Sequence, residues 1–155
     1  MKTILNALLV ASLLVFAGAA SAADPVIGTW TLNLAKSKFK PGPAPKSDTR
    51  TYAETADGIA WTWKSVAADG KETTVSAVLR KDGKDAKVTG SDMFDTIVVK
   101  KVDGNTVHSV LKREGLVVGE AERTISKDGK ELKIKAKGAG PDAVSYENEM
   151  VYDKQ

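Results

Sequence analysis

Acidic residues followed directly by glycine punctuate this chain at Asp57-Gly58, Asp69-Gly70, Asp82-Gly83, Asp103-Gly104, Glu114-Gly115 and Asp128-Gly129. Asp-Gly suits tight hairpins because both residues tolerate positive φ. The segments between these turns are short and rich in Val, Thr, Ile, Trp and Tyr, so each is expected to pair antiparallel with its sequence neighbour. About ten strands are predicted, over residues 27–34, 48–55, 59–66, 72–80, 85–90, 95–101, 105–113, 116–126, 130–137 and 144–152. The even turn spacing is not a sequence repeat.

Several of these strands alternate cleanly. Trp30, Leu32 and Leu34 share one face; so do Ile59, Trp61 and Trp63, and Leu132, Ile134 and Ala136 oppose Lys133, Lys135 and Lys137. One apolar face per strand means a sheet with one side on a core and one in water. With no helix to cover it, such a sheet must form a sandwich or close on itself, and closure also removes its exposed edges. The expected fold is therefore all-β: a single up-and-down antiparallel meander of about eight to ten strands closed into a barrel. The one long connection, 35–47, carries Pro41, Pro43 and Pro45, which exclude a helix there. It is expected to be a solvated crossover strap, with a mobile flap over a barrel mouth as the alternative.

The N-terminus has the organisation of an export leader. Lys2 supplies the positive end, Ile4 to Ala20 is free of charge, and Ala20 and Ala22 provide the small residues of a cleavage site. Residues 1–22 are expected to be a signal peptide cleaved after Ala22, leaving 23–155 as one barrel domain in the periplasm or outside the cell. The apolar run is short and ends in small residues, so no integral membrane segment is expected in the mature form. The chain has no cysteine, which excludes disulfides and a lipid-anchored form. Lys2 is the only charge in the leader, so the formal net charge of +3 falls by one on cleavage. The remaining charges alternate along the chain instead of forming a basic stripe with interleaved aromatics, and nucleic-acid binding is not expected.

Gly28-Thr29-Trp30-Thr31-Leu32 resembles the Gly-x-Trp opening strand shared by lipocalins and fatty-acid-binding proteins. Met150-Val151-Tyr152-Asp153-Lys154 resembles the closing strand of the latter. The longer string from Gly28 to Phe39 is similar to secreted bacterial lipocalin-like proteins of unassigned function. The resemblance implies a calycin-like barrel in which Gly28 and Trp30 open the first strand, Trp30 plugs one end, and Lys154 lies over its ring. Such a cation–π contact contributes about 0.5–2 kcal/mol. The chain departs from fatty-acid-binding proteins in two respects. The proline strap replaces their two short helices, and Met150 stands where their closing Arg-x-Tyr carries an arginine.

Arg123 is the candidate to supply the missing charge. Turning it outward would turn Glu120 and Glu122 inward, which desolvates two carboxylates instead of one guanidinium. An inward Arg123 needs an anionic ligand or an internal carboxylate, because an unpaired buried charge costs several kcal/mol. Glu54, which shares a face with Arg50 and Tyr52, is the internal alternative. Tyr146, Asn148, Met150 and Tyr152 share a face of the last strand. The candidate ligand contacts are thus Arg123, Tyr152, Tyr146, Met150, Trp61 and Trp63, with the two tryptophans serving either as cavity wall or as plain core.

No catalytic group is expected. His108 is the only histidine, sits mid-strand, and has no cysteine beside it to activate. Zinc would want several His or Cys ligands. Asp92 and Asp95 near Ser91 carry too few spaced oxygens for calcium and read as turn caps. Gly138 and Gly140 precede no helix and form no phosphate loop, and Glu147 and Glu149 fall on the solvated face. No cofactor and no metal are expected. The expected function is to bind or carry a small apolar or amphipathic molecule. The alternative is a periplasmic protein-binding module, such as a hydrolase inhibitor, with a packed interior and a protein partner that is not legible.

Overall fold

The computed structural model describes residues 23–155; the expected leader and its cleavage site lie outside the described residues. Ten strands follow one another: β1 (Gly28–Leu32), β2 (Ser47–Thr55), β3 (Gly58–Val66), β4 (Glu72–Arg80), β5 (Ala86–Thr89), β6 (Thr96–Lys101), β7 (Thr106–Arg113), β8 (Leu116–Ile125), β9 (Glu131–Ala139) and β10 (Ser145–Lys154). Each pairs antiparallel with its neighbours in sequence, and β1 pairs with β10, so the sheet is a closed up-and-down barrel. This is the architecture that the alternating faces and glycine turns require and that the calycin resemblance implies. No helix among the described residues is long and apolar enough to cross a membrane.

Closure rests on three residue pairs, Trp30↔Lys154, Thr31↔Asp153 and Leu32↔Tyr152. Trp30 is wholly buried, and its indole Nε1 donates to the Val26 carbonyl at 2.7 Å. The Lys154 ammonium lies 5.1 Å from the centre of the Trp30 ring. Gly28 makes room for that lysine: it has φ +132°, and a Cβ there would come within 3.0 Å of Lys154 Cε. Val26, Leu132 and Ile125 fill the same end. Each such buried aliphatic side chain contributes about 1.5–3 kcal/mol. This end of the barrel is plugged.

At the opposite end lie the β1–β2 connection and the β3–β4, β5–β6, β7–β8 and β9–β10 turns. The strand expected over 27–34 stops at Leu32. Asn33 turns the chain by accepting from the Lys36 amide through its side chain and donating to Asp153 at 2.8 Å. Leu34, expected on the inner face with Trp30, consequently enters a short 3-10 turn (Leu34–Lys36) and is 45% exposed. The strap then runs along β10: Lys38 and Glu149 exchange backbone hydrogen bonds, and the Glu147 amide donates to the Lys40 carbonyl. Farther on, the Lys46 amide donates to the Val66 carbonyl. The strap is thus a tethered part of the rim, exposed through much of its length.

The wall is uneven. β2–β3 and β3–β4 each pair over nine residues, whereas β5 is held by two residue pairs on either side. Gly90 ends β5 with φ +81°, and a Cβ there would stand 2.0 Å from the Thr74 carbonyl oxygen. Gly90→Ala is therefore expected to lower unfolding free energy by at least about 2 kcal/mol. Gly104→Ala, where nothing lies within 4 Å of the added carbon, should change it by less than about 0.5 kcal/mol. Urea unfolding followed by tryptophan fluorescence compares the two.

Candidate ligand-binding site

The inner faces of the strands do not meet across the barrel. They leave a cavity of about 480 Å³ that reaches the surface at the rim beside Asp69. Ligand sites commonly have this size. Its wall is apolar through Tyr52, Trp61, Trp63, Leu111, Ile134 and Met150, while Phe39, Pro43 and Pro45 of the strap and Met93 and Phe94 of the β5–β6 loop frame the rim. The Ser91 hydroxyl accepts from the amides of Met93 and Phe94 at 3.1 and 3.3 Å, which folds that loop inward. Trp61 and Trp63 stack 13° from parallel with ring centres 6.5 Å apart. They are both cavity wall and packed core.

One carboxylate organises the polar side of the cavity. Asp48 is 4% exposed. Its Oδ2 accepts from Trp63 Nε1 at 2.6 Å, and its Oδ1 accepts from the Tyr152 hydroxyl at 3.0 Å. Arg50 Nε donates to that hydroxyl at 2.8 Å and lies 3.7 Å from Asp48 Oδ1. The Arg50 guanidinium also sits 5.0 Å from the Trp63 ring centre and 5.2 Å from that of Tyr152. Burial works against the Arg50 charge, yet the oxygens of Tyr152, Asp48 and Tyr52 outweigh it and hold its pKa above the ordinary arginine value. Burial, aided by the Asp48 charge, pushes the Tyr152 hydroxyl up against the opposing pull of Arg50. Tyr152 thus stays protonated and donates.

Arg123 points inward. It is 9% exposed, with its guanidinium 5.1 Å from the centre of the Tyr52 ring. Glu54, the internal carboxylate considered for it, is instead exposed and bonds Lys81 at 2.8 Å. That alternative is overturned, because the tip of β2 reaches past the lining to the β4–β5 turn. Arg123 has no carboxylate partner among the described residues, and its Nε and the indole Nε1 of Trp61 are enclosed without any acceptor. Tyr146 lines the cavity nearer the rim, half-buried, and burial pushes its hydroxyl up. Its ring tip covers the Gly119–Gly138 pair; a Cβ at either glycine would lie 2.9 Å from its oxygen.

Of the expected ligand contacts, Arg123, Tyr146, Trp61, Trp63 and Met150 line the cavity. Tyr152 stands one layer back, wholly buried, its hydroxyl engaged with Arg50 and Asp48. Asp48 and Arg50 were not among the expected contacts. Extending the Tyr52–Arg50 alternation back by one step would have found Asp48, an acid two residues before a base on an inward face. Met93 and Phe94 sit in a loop with no periodicity to expose them. His108 lies outside, 3.4 Å from Glu120, among exposed charges.

Fold and site define a closed antiparallel β-barrel with one plugged end and a ligand-sized cavity. No family model matches the chain, and no curated protein matches it. Among solved structures it is similar to zebrafish ileal bile acid-binding protein complexed with cholic acid, at 12% identity and a TM-score of 0.48, covering 84% of this chain and 99% of that one. A likeness at this level bears on neither ligand nor mechanism; the barrel assignment stands on the strand pairing itself.

Two outcomes are expected of the Asp48 network. Asp48→Asn removes the only carboxylate beside Arg50 among the described residues and should cost about 3–5 kcal/mol in urea unfolding. Separately, an unfolded tyrosine releases its proton near about pH 10, while folded Tyr152 retains it. The folded state then binds more protons, so stability is full below that pH and declines as pH rises beyond it. Denaturant unfolding from pH 8 to 11, with tyrosinate absorbance read in parallel, checks the sign.

Proposed function

We propose that this protein is an exported barrel that binds and carries a small molecule with a largely apolar body. The observation that carries this reading is the cavity of about 480 Å³, lined by aromatic and aliphatic side chains and reaching the surface at one end. Transfer of apolar ligand surface out of water supplies the driving force, and a few buried polar groups orient the ligand. Binding is reversible sequestration and involves no bond making. A protein-binding module with a packed interior is the weaker reading, because the lining does not fill the barrel. Export to the periplasm or beyond is supported by the charge-free leader and its small-residue site.

Native mass spectrometry of protein purified gently from its source is expected to reveal a co-purified small molecule. A polarity-sensitive dye such as 1-anilinonaphthalene-8-sulfonate should brighten on the purified protein. Ala136→Phe, which projects a ring into the cavity from β9, should weaken that binding about tenfold or more while the far-UV circular dichroism stays unchanged. Unaltered dye affinity in this variant would move binding elsewhere. N-terminal sequencing of protein recovered from the cell exterior or periplasm should begin at Ala23.

A further inference from the structure

We infer that the wall between β4 and β6 is a strand-addition edge, and that it takes an acidic, extended segment of a partner polypeptide. The inference concerns the outside of the barrel and stands apart from the carrier reading. Closure removes the edges of a sheet only where its strands pair along their lengths, and β5 does not. It pairs with β4 at Ser76 and Ala77 alone, and with β6 at Thr96 and Ile97 alone. Toward the plugged end, residues 78–80 of β4 and 98–101 of β6 therefore have no strand partner on their facing sides. The turn between them, residues 81–85, makes no backbone hydrogen bond to either strand among the described residues. Even at Gly83 an added Cβ would stand 4.0 Å from the Val99 carbonyl oxygen, an ordinary van der Waals distance. The turn is held by its side chains instead. Arg80 bonds Asp82 at 3.0 and 2.6 Å, Asp82 accepts from the Lys84 amide, and Asp85 accepts from Lys112 of β7.

Charge selects the occupant. Residues 80–87 and 98–101 hold six bases, Arg80, Lys81, Lys84, Lys87, Lys100 and Lys101, against two acids, Asp82 and Asp85. That local excess is larger than the formal +3 of the whole chain, so the positive field is concentrated on this part of the wall. Lys87, Lys100 and Lys101 are exposed and belong to no ion pair among the described residues. Lysines along an open edge repel another edge of the same kind, which argues against a second copy of this chain. A strand carrying carboxylates meets opposite charges across the pairing. Residues 78–87 and 96–101 include no aromatic side chain on which a nucleic-acid base could stack. A lipid headgroup brings no ladder of main-chain donors and acceptors to match the edge.

The alternation of the two flanking strands sets the pattern of the partner. Leu79 of β4 and Ile97 of β6 are buried on the inner face, which places Val78 and Arg80, and Val98 and Lys100, on the outer one. Val78 is 42% exposed. An added strand points successive side chains to opposite faces. Its outer row lies beside Lys87 and Lys100 and suits glutamate or aspartate. Its inner row lies beside Val99, which packs against the core, and suits an aliphatic residue. In this mode of recognition main-chain hydrogen bonds supply the affinity and the alternate side chains the specificity.

Fluorescence anisotropy of the purified protein with three fluorescein-labelled heptapeptides tests this. One alternates glutamate and valine, one alternates lysine and valine, and the third is the first with its valine amides N-methylated. The Glu-Val peptide should bind at least about tenfold more tightly than the Lys-Val peptide. Its affinity should fall as salt rises from about 0.05 to about 0.5 M, and N-methylation should weaken it about tenfold or more. Lys87→Glu combined with Lys100→Glu should invert the preference, and Lys87→Gln with Lys100→Gln should abolish it, the far-UV circular dichroism staying unchanged. Lys127→Glu, in the β8–β9 turn, should leave it intact. Bound 1-anilinonaphthalene-8-sulfonate should stay in place as the peptide binds. Equal affinity for the two charged peptides, or no binding of either, overturns the proposal, as does an unaltered preference in the Lys87 and Lys100 variants. N-methylation without effect also overturns it, by reducing the contact to charge alone. Displacement of the dye would place the peptide in the cavity, and a dimer in sedimentation velocity without peptide would give the edge to a second copy; either result overturns it.

Discussion

Everything inside this protein depends on a short seam. Three residue pairs between β1 and β10 turn an open meander into a barrel, and without them the inner faces of all ten strands would face water. The seam is reinforced where it is shortest. Trp30 sits in it, holds the Val26 carbonyl, and carries Lys154 over its ring. The chain beyond Leu32 adds to it by leaving β1 and running beside β10 as the strap. Closure by hydrogen bonds alone would leave a hollow tube. Burial of Trp30, Val26 and Leu132 makes one end solid and leaves the free volume at the other.

The interior is stable with charges in it because most of them are answered locally. Asp48 takes hydrogen bonds from Trp63 and Tyr152, and Tyr152 in turn accepts from Arg50. Each group in that chain satisfies its neighbour, the condition under which a buried polar network rigidifies a core. Arg123 stands outside the arrangement. A buried cation without a counter-ion among the described residues is a cost that apolar packing could have avoided, and it lies on the inner wall of a cavity. Arg50 is thus part of a satisfied network, whereas Arg123 is not.

The fold was largely legible because two local rules agreed. Glycine turns fixed where the strands stop, and period-two alternation fixed which face is inward, so all ten predicted ranges begin within one residue of the observed ones. The misreading at Leu34 has a tertiary origin: Asn33 bonds to Asp153 of the last strand, a partner no local pattern reveals. The site was less legible. Inward Arg123 followed from weighing one guanidinium against two carboxylates, but its proposed neighbour Glu54 lies outside because the alternation says nothing about where a strand passes the barrel rim. Arg50 reads only as a neighbour of Tyr52 and Glu54 on one face, and Asp48 is not singled out at all, until the barrel folds them against two tryptophans and Tyr152.

The thin attachment of β5 has its own consequence. Four residues, Ala86–Thr89, are joined to β4 and β6 by two pairs on each side, while the neighbouring strands are laced along their whole lengths. Local opening follows the weakest lacing, so backbone amides there should exchange with solvent sooner than those of β3 or β9. A barrel that loosens along one stave can open at its side without parting the seam that holds it shut.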